Sequence, residues 1–522
     1  WLWEAAEQKS AKAQYLLGSC YEQGRGVPAD LPTAIQWYRY AAEGGVPDAQ
    51  NRLGQLYERG DGLPRDAGAA ASWYQRASDQ NHHGAQWAMG RLYESGEGVE
   101  QNLKQAVTCY DRAANGGHAD AQYRLAQILL EGKLVRRNAS RALPLLQAAA
   151  EQGLASAQFD LARSLGQGIG TQPDQAAAVR WYQAAAEQGH PEAQFYLAEC
   201  YEAGVGIKQN IKEAMRWYQA ASGQNHLESK FNLGRLLEQH GRSASALAEA
   251  AALYQTAAEQ GHVDAQLRLA VFYAEGIFVG ADSAKAVIWF RRAAETGCAE
   301  AQYRLAESLA RGNGVARDDG EALRWNQRSA DLGYAPAHYE LGLRYHAGNG
   351  LPKDKARAAA HLRIAADAGI VNAQLWLGAL LETSGGTATE QAEAEQYYRR
   401  AAEQGLAEAQ CRLATWLMRS GGGRAENDGV HWYAQAAEQN HPEAMFALGR
   451  LYEEGRGNLK QSYAEAARWY ARAAELGQSG AETAFFNAKE QAQRQAKAKA
   501  DEQEAQKALK AEQDRKRQEI KH

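Results

Sequence analysis

The stretch Pro47-Asp-Ala-Gln-Asn-Arg-Leu-Gly-Gln-Leu-Tyr57 has the apolar spacing of one face of an α-helix. Ala49, Leu53 and Leu56 recur at intervals of four and three residues, which places them on the same side of that helix. The proline suits the first helical turn, where a missing N–H group costs nothing. Gly60 follows and permits the left-handed conformation that ends many helices.

A second helical pattern lies directly downstream. Ala70, Trp73, Tyr74 and Ala77 again share one helical face. Two such helices joined by a glycine-containing turn form an αα-hairpin. A single hairpin cannot bury its apolar face, so it must stack on similar hairpins.

This hairpin pattern recurs along most of the chain. The alanine at its start is followed by glutamine at a period of 36 residues or a multiple of it, at Ala13, Ala49, Ala85, Ala121, Ala157, Ala193, Ala265, Ala301, Ala373 and Ala409. We call this residue the register alanine. Ser229 and Ala337 hold the same register, which shifts by one residue at Ala444. Internal repeats of this length are typical of solenoid proteins.

The recurring motif resembles a known family. The pattern A-x-x-x-L-G-x-x-Y-x-x-G-x-G-V, followed by W-Y-x-x-A-A-E-x-G, is visible at Ala13–Val27 and, with small changes, at Ala193–Ile207 with Trp217-Tyr218. It is similar to the Sel1-like repeat, a relative of the tetratricopeptide repeat, over roughly residues 1–486. The resemblance implies an all-α fold, a right-handed superhelical solenoid of stacked αα-hairpins with 36-residue repeats.

Three segments are predicted. Residues 1–12 are a partial repeat, because Trp1–Glu7 aligns with Trp37–Glu43, inside a second helix. This alignment predicts that the native N-terminus is missing. Residues 13–486 form the solenoid of about 13 units. Residues 487–522 are rich in Ala, Gln, Lys and Glu and form a tail that is either helical or disordered, since it has too few apolar residues for a core.

Composition excludes several classes of function. The formal net charge of −5 provides no basic footprint for nucleic acid. No apolar run is long enough to span a bilayer. The five cysteines are widely spaced and form no CxxC pair, so neither a zinc site nor a disulfide framework is indicated. The compartment stays open between the bacterial periplasm or cell envelope and the cytoplasm.

Motifs that could carry chemistry have structural interpretations here. Glycine pairs such as Gly24-x-Gly26 follow helices rather than strands, so they predict helix ends and not phosphate loops. Histidines recur three residues before the register position, as turn elements, at His82, His118, His190, His226, His262 and His441. No HExxH, nucleophile elbow or paired-carboxylate motif is present. We expect no catalytic residue, cofactor or metal.

The recurring tryptophans of the second helices are interpreted as core residues. Their helical neighbours are inward-facing alanine and tyrosine. These tryptophans are Trp37, Trp73, Trp181, Trp217, Trp289, Trp325, Trp432 and Trp469.

A row of aromatic residues is the candidate binding site. It lies two residues after the register position, about 160° around the helix from the Leu53-type core position. We call it the aromatic stripe: Tyr15, Trp87, Tyr123, Phe159, Phe195, Phe231, Tyr303, Tyr339 and Phe446. Charged residues accompany it at Glu58, Arg91, Glu94, Glu202 and Arg235. By analogy with tetratricopeptide repeats, this is the concave face; the alternative is that each ring packs on the next repeat.

The favoured function is a non-enzymatic scaffold or adaptor. Such a protein would bind one or more protein partners, including an extended peptide, on this face. The resemblance implies an assembly subunit of a bacterial complex. Two alternatives remain: a carbohydrate-binding scaffold in exopolysaccharide handling, indicated by the aromatic stripe, and a regulator of an associated enzyme.

Overall fold

The protein is described by a computed structural model, which covers residues 1–241, 243–277, 280–382 and 387–519. Over these ranges it contains 28 α-helices and no β-strand. The chain separates into two compact units, Trp1–Leu269 and Ala270–His522. In both units, consecutive antiparallel helices pack as hairpins and each hairpin packs on the next. The stacked-hairpin fold is therefore confirmed, while the handedness of the superhelix stays a prediction.

The first unit holds helices α1 to α15, and α16 (Val263–Glu275) contains the unit boundary. These helices are α1 (Leu2–Glu7), α2 (Ala11–Gln23), α3 (Leu31–Glu43), α4 (Pro47–Arg59), α5 (Ala67–Asp79), α6 (His83–Ser95), α7 (Leu103–Asn115), α8 (Ala119–Glu131), α9 (Ala139–Glu151), α10 (Ala155–Gln167), α11 (Gln175–Glu187), α12 (Pro191–Ala203), α13 (Ile211–Gly223), α14 (Leu227–His240) and α15 (Ala244–Glu259).

The second unit continues the alternation of first and second helices. Its helices are α17 (Ser283–Glu295), α18 (Ala299–Arg311), α19 (Asp319–Asp331), α20 (Ala335–Ala347), α21 (Lys355–Asp367), α22 (Val371–Glu382), α23 (Ala388–Glu403), α24 (Ala407–Ser420), α25 (Gly423–Glu438), α26 (Pro442–Glu454), α27 (Tyr463–Glu475) and α28 (Ala481–Glu519).

Local signals set the helix ends as the sequence predicts. Helix α4 begins at Pro47 and ends before Gly60, whose φ of 80° is left-handed. The next helix, α5, is capped by Asp66, whose side chain accepts a hydrogen bond from the Ala69 N–H at 2.9 Å. Each capped end satisfies N–H or C=O groups that the helix itself cannot pair.

Each hairpin closes tightly where a small residue faces a tyrosine. Leu53 and Tyr74 are fully buried, at 0% and 1% exposure. A Cβ atom added to Gly54 would lie 2.5 Å from the Tyr74 ring. The absence of a side chain at Gly54 therefore lets the two helices of this hairpin approach each other.

The predicted burial of the tryptophans is only partly correct. Trp325 is buried, but the other seven recurring tryptophans are half-buried. Trp73 packs against a core cluster formed by the preceding repeat and the first helix of its own repeat, and the Arg76 guanidinium lies over its ring at 4.7 Å. The adjacent residue Tyr74 points about 100° away, into its own hairpin, and takes the buried position.

The C-terminal tail continues a helix. Helix α28 packs through Ala481 and Ala488, which are fully buried, and residues 493–517 are all exposed. Residues 520–522 of the predicted tail lie outside the described residues. The predicted boundaries at 12, 486 and 487 stay predictions.

Candidate partner-binding site

The residues of the aromatic stripe lie on first helices and are half-buried. Trp87 is representative: its ring lies 5.1 Å from Tyr110 of the same hairpin and 5.8 Å from His118, which directly precedes the first helix of the next hairpin. The same arrangement holds for Phe159 with Tyr182 and His190, Phe195 with Tyr218 and His226, and Phe231 with Tyr254 and His262. These rings fill the space between neighbouring hairpins and keep part of their surface exposed.

The remaining stripe residues make related contacts. Tyr123 donates a hydrogen bond from its hydroxyl to Asp160 of the next repeat at 2.9 Å. The others contact an aromatic ring or a core cluster: Tyr15 with Tyr38, Tyr303 with Tyr334, Phe446 with Tyr470, and Tyr339 with the cluster around Leu362. Packing within a repeat and against the next one thus accounts for the buried part of these rings.

Three large side chains beside the stripe are more exposed than the stripe itself. Leu16, Tyr196 and Trp376 all lie three residues after a register alanine, at 44%, 36% and 40% exposure. The sequence analysis did not single out this position. In each compact unit taken by itself, we define the first-helix face as the stripe residues of that unit, together with Leu16 and Tyr196 in the first unit and Trp376 in the second.

The five predicted charged residues all belong to bridges between repeats. Glu94 accepts a hydrogen bond from the Tyr110 hydroxyl of its own hairpin at 2.6 Å, and forms an ion pair with Arg124 of the next hairpin. Glu58 likewise pairs with Tyr74 and Arg91, and Glu202 with Tyr218 and Arg235. The carboxylate therefore joins three helices of two consecutive repeats.

The bridges shift the ionisation of their members. The hydrogen bond from Arg124, assisted by the Tyr110 hydroxyl, lowers the pKa of Glu94. Burial, followed by the hydrogen bond to Glu94, raises the pKa of Tyr110 above its usual range. The carboxylate is thus ionised and the phenol neutral at neutral pH, which is the pairing that the hydrogen bond requires.

A glutamate and a tyrosine at a fixed separation in the sequence mark these bridges. Among the described residues, seven repeats have a glutamate that accepts a hydrogen bond from a tyrosine 16 or 17 residues later: Glu22/Tyr38, Glu58/Tyr74, Glu94/Tyr110, Glu202/Tyr218, Glu238/Tyr254, Glu382/Tyr398 and Glu453/Tyr470. We call these seven pairs the Glu–Tyr pairs. The sequence analysis noted both residue types but missed that they occur together.

The glutamine after the register alanine is also part of the core. Gln158 is buried and donates to the carbonyl of Ala150, in the last turn of the preceding second helix, at 3.1 Å. Its own carbonyl accepts from Gln188 at 2.7 Å. Gln50, Gln122, Gln194, Gln374 and Gln410 make the equivalent pair of hydrogen bonds.

The recurring histidines are helix caps, as the structural interpretation predicts. His118 Nδ1 accepts from the backbone N–H of Ala121 at 3.4 Å. His82, His190, His226, His262 and His441 cap their helices in the same way. A capping nitrogen must be unprotonated, and burial lowers the pKa of both His118 and His226.

No group of three or more His, Cys, Asp or Glu residues is placed to hold a metal ion within the ranges that the structure describes. Over the same residues, no helix has the length and apolar character needed to cross a membrane.

A family model described as the Sel1 repeat matches thirteen consecutive segments of the chain. The segments are 11–46, 47–82, 83–118, 119–154, 155–190, 191–226, 227–262, 263–298, 299–334, 335–370, 371–406, 407–441 and 442–478. The chain belongs to the Sel1 repeat family. Each hairpin described above is one Sel1 repeat, and the Glu–Tyr pairs and capping histidines recur at fixed positions within these repeats.

Solved structures of Sel1 repeat proteins are similar to this chain. One is c5321, a protective antigen of uropathogenic Escherichia coli strains that displays an SLR fold, with 26% identity over 94% of this chain and 90% of that chain and a TM-score of 0.39. Another is a Sel1 repeat protein from Oxalobacter formigenes, with 29% identity over 65% of this chain and 88% of that chain and a TM-score of 0.35. No curated protein is a significant match to the sequence.

Proposed function

We propose that this Sel1 repeat protein is a non-enzymatic scaffold or adaptor that binds protein partners along the first-helix face, as an assembly subunit of a bacterial complex. Sel1 repeat solenoids generally mediate protein–protein interaction and are typically non-enzymatic. The partner includes an extended segment that follows successive first helices. The sequence analysis predicts that this face is concave.

The exposed aromatic and aliphatic side chains at one repeat position carry the proposal. Leu16, Tyr196 and Trp376 hold the same place on three different first helices. Contacts within the protein account for the half-buried stripe beside them, but leave more than a third of each of these three side chains exposed. Tyr196 adjoins the half-buried rings of Phe159 and Phe195, and contiguous exposed apolar groups of this kind are typical of partner-binding surfaces.

A photo-cross-linking experiment tests this function. A photoreactive phenylalanine analogue replaces Tyr196 or Trp376 in separate full-length proteins expressed in the native cells, and cross-linked proteins are identified by mass spectrometry. Tyr40 provides the matched control, because it is a tyrosine with 55% exposure on a second helix. We expect a defined partner protein from positions 196 and 376 and not from position 40.

A binding measurement completes the test. Tyr196→Ala or Trp376→Ala should weaken binding of the cross-linked partner at least tenfold at unchanged helicity, and Tyr40→Ala less than twofold. Equal cross-linking from all three positions contradicts the proposed face. Binding of polysaccharide fragments that is lost with Tyr196, in the absence of any protein partner, would instead support the carbohydrate scaffold.

A further inference from the structure

One repeat of the second unit has small residues at both positions of the Glu–Tyr pair. In the repeat 299–334, Ala310 and Asn326 stand where Glu94 and Tyr110 stand in the repeat 83–118. Every other repeat has Tyr, Phe or Leu at the position of Asn326. Replacing a tyrosine and a glutamate by two small residues removes the side chains that fill this space elsewhere.

The result is a cavity with an unpaired amide at its wall. The cavity has a volume of about 90 Å³ and is lined in part by Tyr303, Ala310 and Asn326. Asn326 is 2% exposed, and among the described residues neither Oδ1 nor Nδ2 has a hydrogen-bond partner. A buried amide without partners is costly, and asparagines in protein cores are normally hydrogen-bonded. The amide therefore marks a site for a polar group that comes from outside the chain.

The charged residues around the cavity are already paired. Glu340 accepts a hydrogen bond from Arg344 Nε at 2.9 Å, and Glu307 pairs with Arg311 at 3.1 Å. These pairs balance in charge and form part of the cavity wall. The Asn326 amide is thus a fully buried polar group of this wall whose hydrogen-bonding capacity is unused among the described residues.

The cavity continues toward a wider space. A neighbouring cavity of about 510 Å³ shares Ala310, Glu340 and Arg344 with it and extends to Asp319 and Asn349. A chain lying in the wider cavity can insert one side chain into the narrow one. The narrow cavity greatly exceeds the ~10–15 Å³ that a single water needs.

We propose that the Asn326 cavity binds the side-chain carboxamide of an asparagine or glutamine presented by an extended partner peptide. A carboxamide both donates and accepts, so it satisfies Nδ2 and Oδ1 of Asn326 together, whereas a carboxylate or an ammonium group satisfies only one of them. A terminal side-chain group fits the narrow cavity, while the peptide backbone remains in the wider one. This inference rests on the proposed scaffold function and assigns one specificity pocket to it.

A peptide selection tests the proposal. A displayed random library of 12-residue peptides is selected on the full-length protein and counter-selected on the Ala310→Glu/Asn326→Tyr variant, which restores a Glu–Tyr pair and fills the cavity. We expect enriched peptides to contain a fixed Asn or Gln. By fluorescence anisotropy, they should bind at least tenfold more weakly to the double variant and to Asn326→Leu, which follows Leu362 of the next repeat.

Controls separate the outcomes. Asn313→Leu changes an exposed asparagine of the same repeat and should alter binding less than twofold. Replacing the fixed Asn or Gln of the peptide by Leu should reproduce the loss. Both variants at Asn326 should melt at or above the wild-type temperature, which shows that weaker binding does not reflect unfolding.

The opposite results overturn the proposal. Enriched peptides without a fixed carboxamide, equal binding to all variants, or a crystal structure of the peptide complex in which Asn326 bonds only to water would each contradict it. Peptides that bind wild type and the cavity variants equally, but fail to bind Tyr196→Ala, support the scaffold function without this pocket. If no peptide is enriched, the pocket proposal fails, and the cross-linking experiment alone decides the scaffold function.

Discussion

A single carboxylate can hold two repeats together, and Glu94 shows how. Its side chain is 26% exposed, so the ion pair with Arg124 is only partly shielded from water. The hydrogen bond from Tyr110 is different, because that tyrosine is fully buried. The hydrogen bond from the tyrosine hydroxyl therefore contributes more to the free energy of unfolding than the ion pair does.

Removal of this acceptor should be measurable. Glu94→Ala leaves the Tyr110 hydroxyl without its partner and should cost about 1–3 kcal/mol of unfolding free energy. Adding Tyr110→Phe to Glu94→Ala should restore much of the loss, since both polar groups are then absent. Urea unfolding followed by circular dichroism measures the three variants.

The control for Glu94 lies in the following repeat. Glu131 is exposed, and among the described residues it pairs with Lys133, in a solvent-exposed ion pair of 3.8 Å, and not with a tyrosine. Glu131→Ala should therefore change stability by less than about 0.5 kcal/mol. A Glu94→Ala protein as stable as Glu131→Ala would show that the bridge is not a stabilising contact.

Between helices, the buried glutamines join one repeat to the next. Gln158 binds the Ala150 carbonyl, which lies in the last turn of α9, where helical carbonyls lack partners within the helix. The amide is therefore a C-terminal cap that comes from the following repeat. This explains why the glutamine follows the register alanine in most repeats.

Substitution of this glutamine should loosen the junction. Gln158→Met introduces the residue found at the equivalent Met445 and removes the hydrogen bonds of Gln158 to the Ala150 carbonyl and to Gln188. The Ala150 carbonyl keeps its bond from the Gly153 N–H at 2.9 Å, so we expect a loss of about 0.5–1.5 kcal/mol, concentrated in α9 and α10. Amide hydrogen exchange localises the effect, and Gln147→Met, at an exposed position of α9, should leave exchange unchanged. Exchange that increases equally in both variants would contradict the capping role.

Helices were more predictable than the contacts between them. The period of 36 residues and the apolar spacing reveal the hairpins, because buried residues must return to one helical face. Whether Trp73 or Tyr74 is the buried member of its pair depends on the distance between neighbouring repeats. The spacing of apolar residues in the sequence does not specify that distance. The Asn326 cavity depends on two residues 16 positions apart, and only the comparison with the Glu–Tyr pairs reveals that both have changed.

At the scale of the whole molecule, the stability of the fold depends on pH, because the same histidine caps recur in several repeats. Capping histidines stabilise a helix end only when Nδ1 is unprotonated, and the folded state lowers the pKa of His118 and His226, chiefly through burial. The unfolded chain therefore binds protons more readily than the folded one. Their stabilising effect is complete above the unfolded value of about 6.5 and is lost as the pH falls through and below it.

Protonation of carboxylates causes a second loss of folding stability at lower pH. The hydrogen bond from His441 lowers the pKa of Glu408 to about 2, and Arg124 lowers that of Glu94. Groups with a lowered carboxyl pKa stabilise the fold above the unfolded value of about 4.3, and this contribution disappears as the pH falls further. We expect the melting temperature to decline in two steps, one beginning near pH 6.5 and the other near pH 4.3.

The first step can be separated from the second by changing only the caps. His118→Asn and His226→Asn together keep a side-chain acceptor at each cap but remove its titration, because asparagine caps helices without ionising. The variant should lose less melting temperature than wild type between pH 7.5 and 5.5 and the same amount between pH 5 and 3.5. His240→Asn, which changes an exposed histidine, should follow wild type throughout. If the double variant and wild type decline equally between pH 7.5 and 5.5, protonation of these two caps does not cause the first step. The loss must then arise from other groups that titrate in this range, among them the buried His338 and the half-buried His361, whose rings contact each other.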